Sequence, residues 1–355
     1  MRQRDDGPEV ERLVAAAADA LEEGDAEAAL ARADEALARA PRSAIALQCR
    51  AEALLGLDRI DDALETYERA VAEGKDDPEV LLGAADLLVN RLAEDERDRE
   101  DLERGRELAR SAARLARKAG DGALEGEAAW LEGAALTDLS RPDEALARLE
   151  AAGRALPDAA GVHLDRGIAL YELCRWDEAR QALIRAEEAD PDDAWTQHHL
   201  GLVAERRGEA KEARRRFDLA RKLAPDDFPR PIELSKAAFD AAVEEAFAKL
   251  PEQVRRYLAN VAVTVEDLPS EDDLRAADPP LSPGSLGMFR GPAYGRGEGD
   301  PWTHLPSSIV LYQRNLERLA RSREELAEEI RVTLVHEVGH FLGLDEDELY
   351  ERGLD

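Results

Sequence analysis

Near the end of the 355-residue chain, VHEVGHFLGLDEDEL spans residues 335–349 and sets His336 and His340 on either side of Glu337 and two further residues. On an α-helix, residues four apart lie one above the other on the same face. Two imidazoles at that spacing can converge on a single divalent cation. Glu337 is turned one step around the helix, where it would not ligate. Its carboxylate is placed instead to take a proton from a water on the ion, a water that zinc has already acidified. Peptide-bond hydrolysis needs this division of labour. The expectation is one Zn2+ per chain, with His336 and His340 as ligands and Glu337 as general base.

A third protein ligand must be found. Only fifteen residues follow His340, too few for a distant ligand-bearing helix, and the only methionines are Met1 and Met288, so none lies downstream to underpin the site. Gly343, three residues beyond His340, permits the left-handed turn that ends a helix and brings the chain back. The ligand then comes from the acids after Gly343 or from upstream. The residue ten beyond His336 is Glu346, with Asp345 and His304 as alternatives. The same acids read as the start of a short final helix, with Asp345 as N-cap and Glu348 as its capping-box partner. The readings are compatible, because a capping Asp345 leaves Glu346 to point at the metal.

Several elements must position these groups. Ser322 with Glu325 three residues on forms a capping-box start for the metal-bearing helix. Leu326, Ile330, Leu334, Val338 and Phe341 then recur at helical spacing as its core face. Upstream, Val261, Val263 and Val265 alternate with Ala262, Thr264 and Glu266 as in a half-buried strand, and SSIVLY, from about 307 to 312, predicts a second. Residues 268–306 hold seven prolines and six glycines. They predict irregular structure, with a short strand around GMFRG whose edge can align an extended substrate. Phe239, Val243, Phe247 and Leu250 mark a further amphipathic helix. Tyr294, Tyr312 and Arg314 lie near these segments and are expected to be structural.

The first two-thirds of the chain repeats. Ala145, Ala179 and Ala213 recur every 34 residues, each followed by a bulky residue at four (Leu149, Leu183, Phe217) and by alanine at seven (Ala152, Ala186, Ala220). Proline stands at twelve (Pro157, Pro191, Pro225), and glycine stands twelve before each first alanine (Gly133, Gly167, Gly201). Earlier copies fall on Ala29/Ala36/Pro41 and Ala63/Tyr67/Ala70. A sixth, on Ala109 and Ala116, follows the charged insertion RLAEDERDRE, which is expected to separate it from its predecessor. Small residues let paired helices approach, the bulky one fills the groove, and the units must stack to bury their apolar faces.

This pattern resembles the tetratricopeptide repeat, although the tryptophan often found early in that repeat is absent. The resemblance implies a superhelix whose concave face binds a protein or peptide. FDAAVEEAFAKLP, LANVAVTVEDLP, LPSSIVLYQRNLER and HEVGHFLGLDEDEL occur in the order seen in a small bacterial zincin-like metallopeptidase family, and the chain resembles it over about residues 237–353. That family's signature, HExxHxxGxxD, sets His336, Glu337 and His340 in their zincin roles and puts Glu346 where the family has aspartate. The expected fold is mainly α, a tetratricopeptide-type α-solenoid followed by a small α+β minimal zincin domain. The expected organisation is a flexible N-terminus over 1–9, a repeat array of about six units over 10–227 and the zincin-like domain over 228–355. A peptide substrate is expected at the zinc cleft. The rival reading is a non-catalytic interaction scaffold whose C-terminal domain binds metal structurally or not at all.

A formal net charge of −31 argues against a nucleic-acid phosphate surface. No run of eighteen apolar residues occurs, so no membrane span is expected and the default is a cytoplasmic protein. Cys49 and Cys174 read as small core residues within helical patterns. His198 and His199 are adjacent, about 100° apart on a helix, and are not expected to share an ion.

Overall fold

A computed structural model describes residues 7–92, 97–258, 261–276, 279–291, 308–344 and 348–349. The chain divides into two compact units, Met1–Leu170 with Asp177–Pro191, and Tyr171–Trp176 with Asp192–Asp355. The division comes one helix pair ahead of the boundary expected at 227/228.

The first unit is built from antiparallel helix pairs: α1 (Gly7–Glu22) with α2 (Ala26–Arg39), α3 (Ala44–Gly56) with α4 (Ile60–Glu73), α5 (Pro78–Asp86) with α6 (Arg99–Ala119), α7 (Gly122–Asp138) with α8 (Pro142–Ala155), and α9 (Ala160–Glu172) with α10 (Trp176–Ala189). α1 begins at Gly7, inside the stretch expected to be flexible. The periodic residues lie where helices touch. A Cβ on Gly133 would stand 2.6 Å from Leu149, and one on Gly167 would stand 2.6 Å from Leu183. Where the bulky position holds the small Ala33, the facing position carries Ala17 in one buried cluster with it. Helix spacing is therefore set by complementary volumes across each pair.

Two expectations are corrected. RLAEDERDRE does not separate two units. It lies inside the third, where a π-turn (Leu87–Arg91) prolongs α5 and the surplus residues lengthen the connection and the 21-residue α6. Cys174, though buried, is not in a helix. It occupies the turn inside its pair with φ 54°, in register with Gly24, Asp58 and Ser140, all at positive φ. Cys49 is a buried thiol on α3, as expected.

The second unit opens with the sixth pair, α11 (Ala194–Arg206) and α12 (Ala210–Leu223), where Gly201 faces Phe217. There follow α13 (Lys236–Lys249), α14 (Glu252–Leu258), β1 (Ala262–Glu266), α15 (Glu271–Leu274), β2 (Gly287–Arg290), β3 (Ser308–Tyr312), α16 (Gln313–Leu319) and α17 (Arg323–Phe341). The sheet order is β1-β3-β2, with β1 parallel and β2 antiparallel to the central β3. Phe239 of α13, Ile309 and Leu311 of β3, and Leu326, Ile330, Leu334 and Val338 of α17 form one core. Ser322 caps α17 by accepting the Glu325 N–H at 3.1 Å. The Glu325 carboxylate accepts from Arg321 N–H, one residue earlier than the expected box partner.

His198 stacks on Phe228 with ring centroids 4.7 Å apart, and burial, then His199 and Arg318, push its pKa down to about 3. His199 Nδ1 bonds the Trp195 carbonyl at 2.9 Å. An unfolded histidine titrates near 6.5, so between the two values the unfolded chain binds more protons and stability falls as pH drops. His198→Phe is expected to flatten the decline of Tm between about pH 6.5 and 4, measured by thermal melts across that range. Gly167→Val, which overfills the contact with Leu183, is expected to cost about 1–3 kcal/mol in chemical denaturation.

Candidate metal centre

α17 packs its apolar stripe into the core, which leaves the adjoining strip, carrying His336 and His340, half-buried. The two Nε2 atoms are 3.1 Å apart, with ring centroids at 4.7 Å and planes inclined at 80°. A tetrahedral ion with Zn–N bonds of about 2.0–2.1 Å keeps two ligand nitrogens about 3.3 Å apart. The imidazole pair thus fits a shared cation with little movement.

The helix end fixes one ring. Gly343, at φ 85°, donates its N–H to the His340 carbonyl at 2.9 Å, and Leu344 N–H reaches back to the Gly339 carbonyl at 3.1 Å. These two bonds make a Schellman turn, with glycine at the position where a Cβ is disfavoured. The turn brings the Leu344 carbonyl 3.2 Å from His340 Nδ1. A carbonyl only accepts, so Nδ1 carries the proton and Nε2 keeps its lone pair facing His336. Outer hydrogen bonds of this kind orient metal-binding histidines. Further along, Leu349 is fully buried and packs on Gly339, one turn from His336. Glu346, Asp345 and His304 lie outside the described residues, and among the described ones no three His, Cys, Asp or Glu side chains gather to hold an ion.

Glu337 is 4 % exposed and faces strand β2. A Cβ added to Gly287 would lie 3.2 Å from Glu337 Oε1 and 2.7 Å from Thr333 Cγ2. Glycine at 287 thus lets the β2 backbone approach the carboxylate. Sequence reading missed this contact, although a glycine opening a predicted strand is a sign of close backbone approach. Among the described residues β2 pairs with β3 alone, so it is an edge strand, as expected for GMFRG. Tyr312 lies on the sheet face of Met288 and Val310, whereas Ile309 and Leu311 point to the core shared with α17. Alternation along β3 therefore directs Tyr312 away from Glu337. Arg314 pairs with Glu205 at 3.1 Å and Asp267 at 3.2 Å. Tyr294 lies outside the described residues.

Comparison with known proteins defines the class in two parts. Residues 20–87 and 136–197 match the family model of the tetratricopeptide repeat, with the insertion and α6 falling between the two matched stretches. Among solved structures, the chain is similar to one described under functional characterization of Pseudomonas aeruginosa pilF, with 18% identity, 65% of this chain and 96% of that chain covered, and a TM-score of 0.50. It is also similar to PilW, described as a widely conserved type IV pilus biogenesis factor, with 16% identity, coverage of 61% and 94%, and a TM-score of 0.52. Both likenesses concern the fold. Residues 258–354 match the family model of the zincin-like metallopeptidases. The chain thus carries tetratricopeptide repeats ahead of a zincin-like metallopeptidase domain. No curated protein matches it.

Zinc added to the purified full chain is expected to raise Tm by mass action, by about 2.7 kcal/mol of stability at a hundredfold excess over Kd. His340→Ala should abolish the rise and Glu346→Ala should weaken it. A rise of equal size in His340→Ala would place the ion elsewhere.

Proposed function

We propose that the protein is a zinc-dependent metallopeptidase whose repeat array recruits a protein substrate or partner. The observation that carries this reading is the 3.1 Å approach of the two imidazole nitrogens beside a buried glutamate. His336 and His340 would hold the ion, with Glu346 as third ligand. When bound, zinc supplies Lewis acidity and lowers the pKa of a water towards neutrality.

The chain's own residues do the rest. Glu337, confined by Thr333 and the β2 backbone at Gly287, takes a proton from water and delivers it to the departing amine. Its burial keeps that carboxylate in one place and limits competing water. The edge of β2 that is unpaired among the described residues supports a substrate in extended form by strand addition, so main-chain hydrogen bonds give affinity whatever the side chains. The array binds protein or peptide on its concave face and raises substrate concentration near the cleft. No helix among the described residues is long and apolar enough to cross a membrane. We place the protein in the cytoplasm on the same reading.

Glu337→Gln tests the assignment. Zinc content is expected to stay near one per chain while hydrolysis of an unstructured protein substrate falls by at least about 10²-fold. If the variant is as active as the parent, Glu337 is not the base. If neither hydrolyses peptides although both bind zinc, the domain is a structural metal module on an interaction scaffold.

A further inference from the structure

The segment that leads into β2 is held by side chains of the sixth helix pair and of α16. Arg206, at the end of α11, donates from Nη1 to the Pro269 carbonyl at 2.8 Å and from Nη2 to the Pro283 carbonyl at 2.5 Å. Asn315, itself buried, donates to the carbonyls of Pro283 at 2.9 Å and Ser285 at 2.7 Å. Tyr312 N–H then bonds the Leu286 carbonyl at 2.8 Å, and β2 begins at the next residue, Gly287. Arg275 fastens the same segment to the Cys174 carbonyl at 2.8 Å.

A proline-rich stretch has few N–H groups with which to tie itself down, so its placement depends on what its carbonyls accept. A guanidinium suits this because its planar fork holds two carbonyls in a fixed relative geometry, which an ammonium on a flexible stem does not impose. The pinned Pro283 lies four residues before Gly287, whose backbone abuts Glu337 and Thr333. An unbroken line of contacts therefore runs from the end of α11 to β2 and the buried carboxylate.

We propose that Arg206 is a positioning residue for the substrate-binding edge, fixing the entry to β2 and hence the register in which a peptide is presented to the site. The sixth helix pair then serves the peptidase domain as its foundation. This rests on the peptidase reading above for its functional part, but the placement of β2 is tested without it.

The experiment uses the full-length, zinc-loaded protein with Arg206→Met and Arg206→Lys. Hydrogen–deuterium exchange is expected to speed up about tenfold over residues 284–290 and at Tyr312 in Arg206→Met, with Arg206→Lys between parent and methionine variant. Exchange in α17 and zinc content should not change. For peptide hydrolysis, KM should rise about tenfold with kcat held within about twofold, the signature of weakened binding before the chemical step. Unchanged exchange over 284–290 would overturn the proposal. So would faster exchange throughout α17 and β2 together, which would mark Arg206 as a residue of general stability. If the parent shows no hydrolysis, only the peptidase reading fails, and the exchange pattern still decides whether Arg206 places β2.

Discussion

The C-terminal domain depends on one helix serving two purposes. α17 must bury Leu326, Ile330, Leu334 and Val338 against β3 and α13, and still present two imidazoles and a carboxylate on the neighbouring strip. The helical repeat allows this only if these side chains lie immediately beside the apolar stripe, so both imidazoles are half-buried and their surroundings well defined. The close Nε2–Nε2 contact follows. With Nδ1 of His340 donating to the Leu344 carbonyl, the His340 Nε2 lone pair meets Nε2 of His336 at 3.1 Å. A divalent cation, if bound, would be held by the Nε2 atoms of His336 and His340, each with its proton on Nδ1.

The ends of α17 matter as much as its faces. Gly343 is where the chain can reverse without strain, and the reversal supplies the carbonyl that orients His340. On the other side, Gly287 removes the one atom that would separate the edge strand from Glu337 and Thr333. Glu337, His340 and the start of β2 are thus placed by two glycines used for different reasons, one for its backbone conformation and one for its lack of a side chain.

Much of this was legible in the sequence. The 34-residue recurrence of small and bulky residues named the partners that touch, because Gly167 and Leu183 are complementary in volume and such complementarity is written in residue types. Strands β1 and β3, the helix start at Ser322 and the turn at Gly343 were legible for similar local reasons. The insertion was misplaced because a charged run shows where periodicity breaks, not whether it breaks within a helix pair or between two. Cys174 misled because its thiol is apolar enough for a core, while its left-handed backbone leaves no mark in the residue type. The carbonyls that Arg206 and Asn315 hold were illegible from sequence, because a proline carbonyl looks the same whether bound or free. The contacts that Arg206 and Glu205 of the sixth pair make were hidden for the same reason, since their partners lie 63 and 109 residues away.

The central claim is that His336 and His340 share one ion. Zinc K-edge X-ray absorption on the zinc-loaded full chain tests it most directly. The account predicts a four-coordinate shell of two imidazole nitrogens and oxygen donors at about 2.0–2.1 Å, with imidazole scattering reduced in His340→Ala. A shell of oxygens alone, or one unaltered by removing His340, would contradict it.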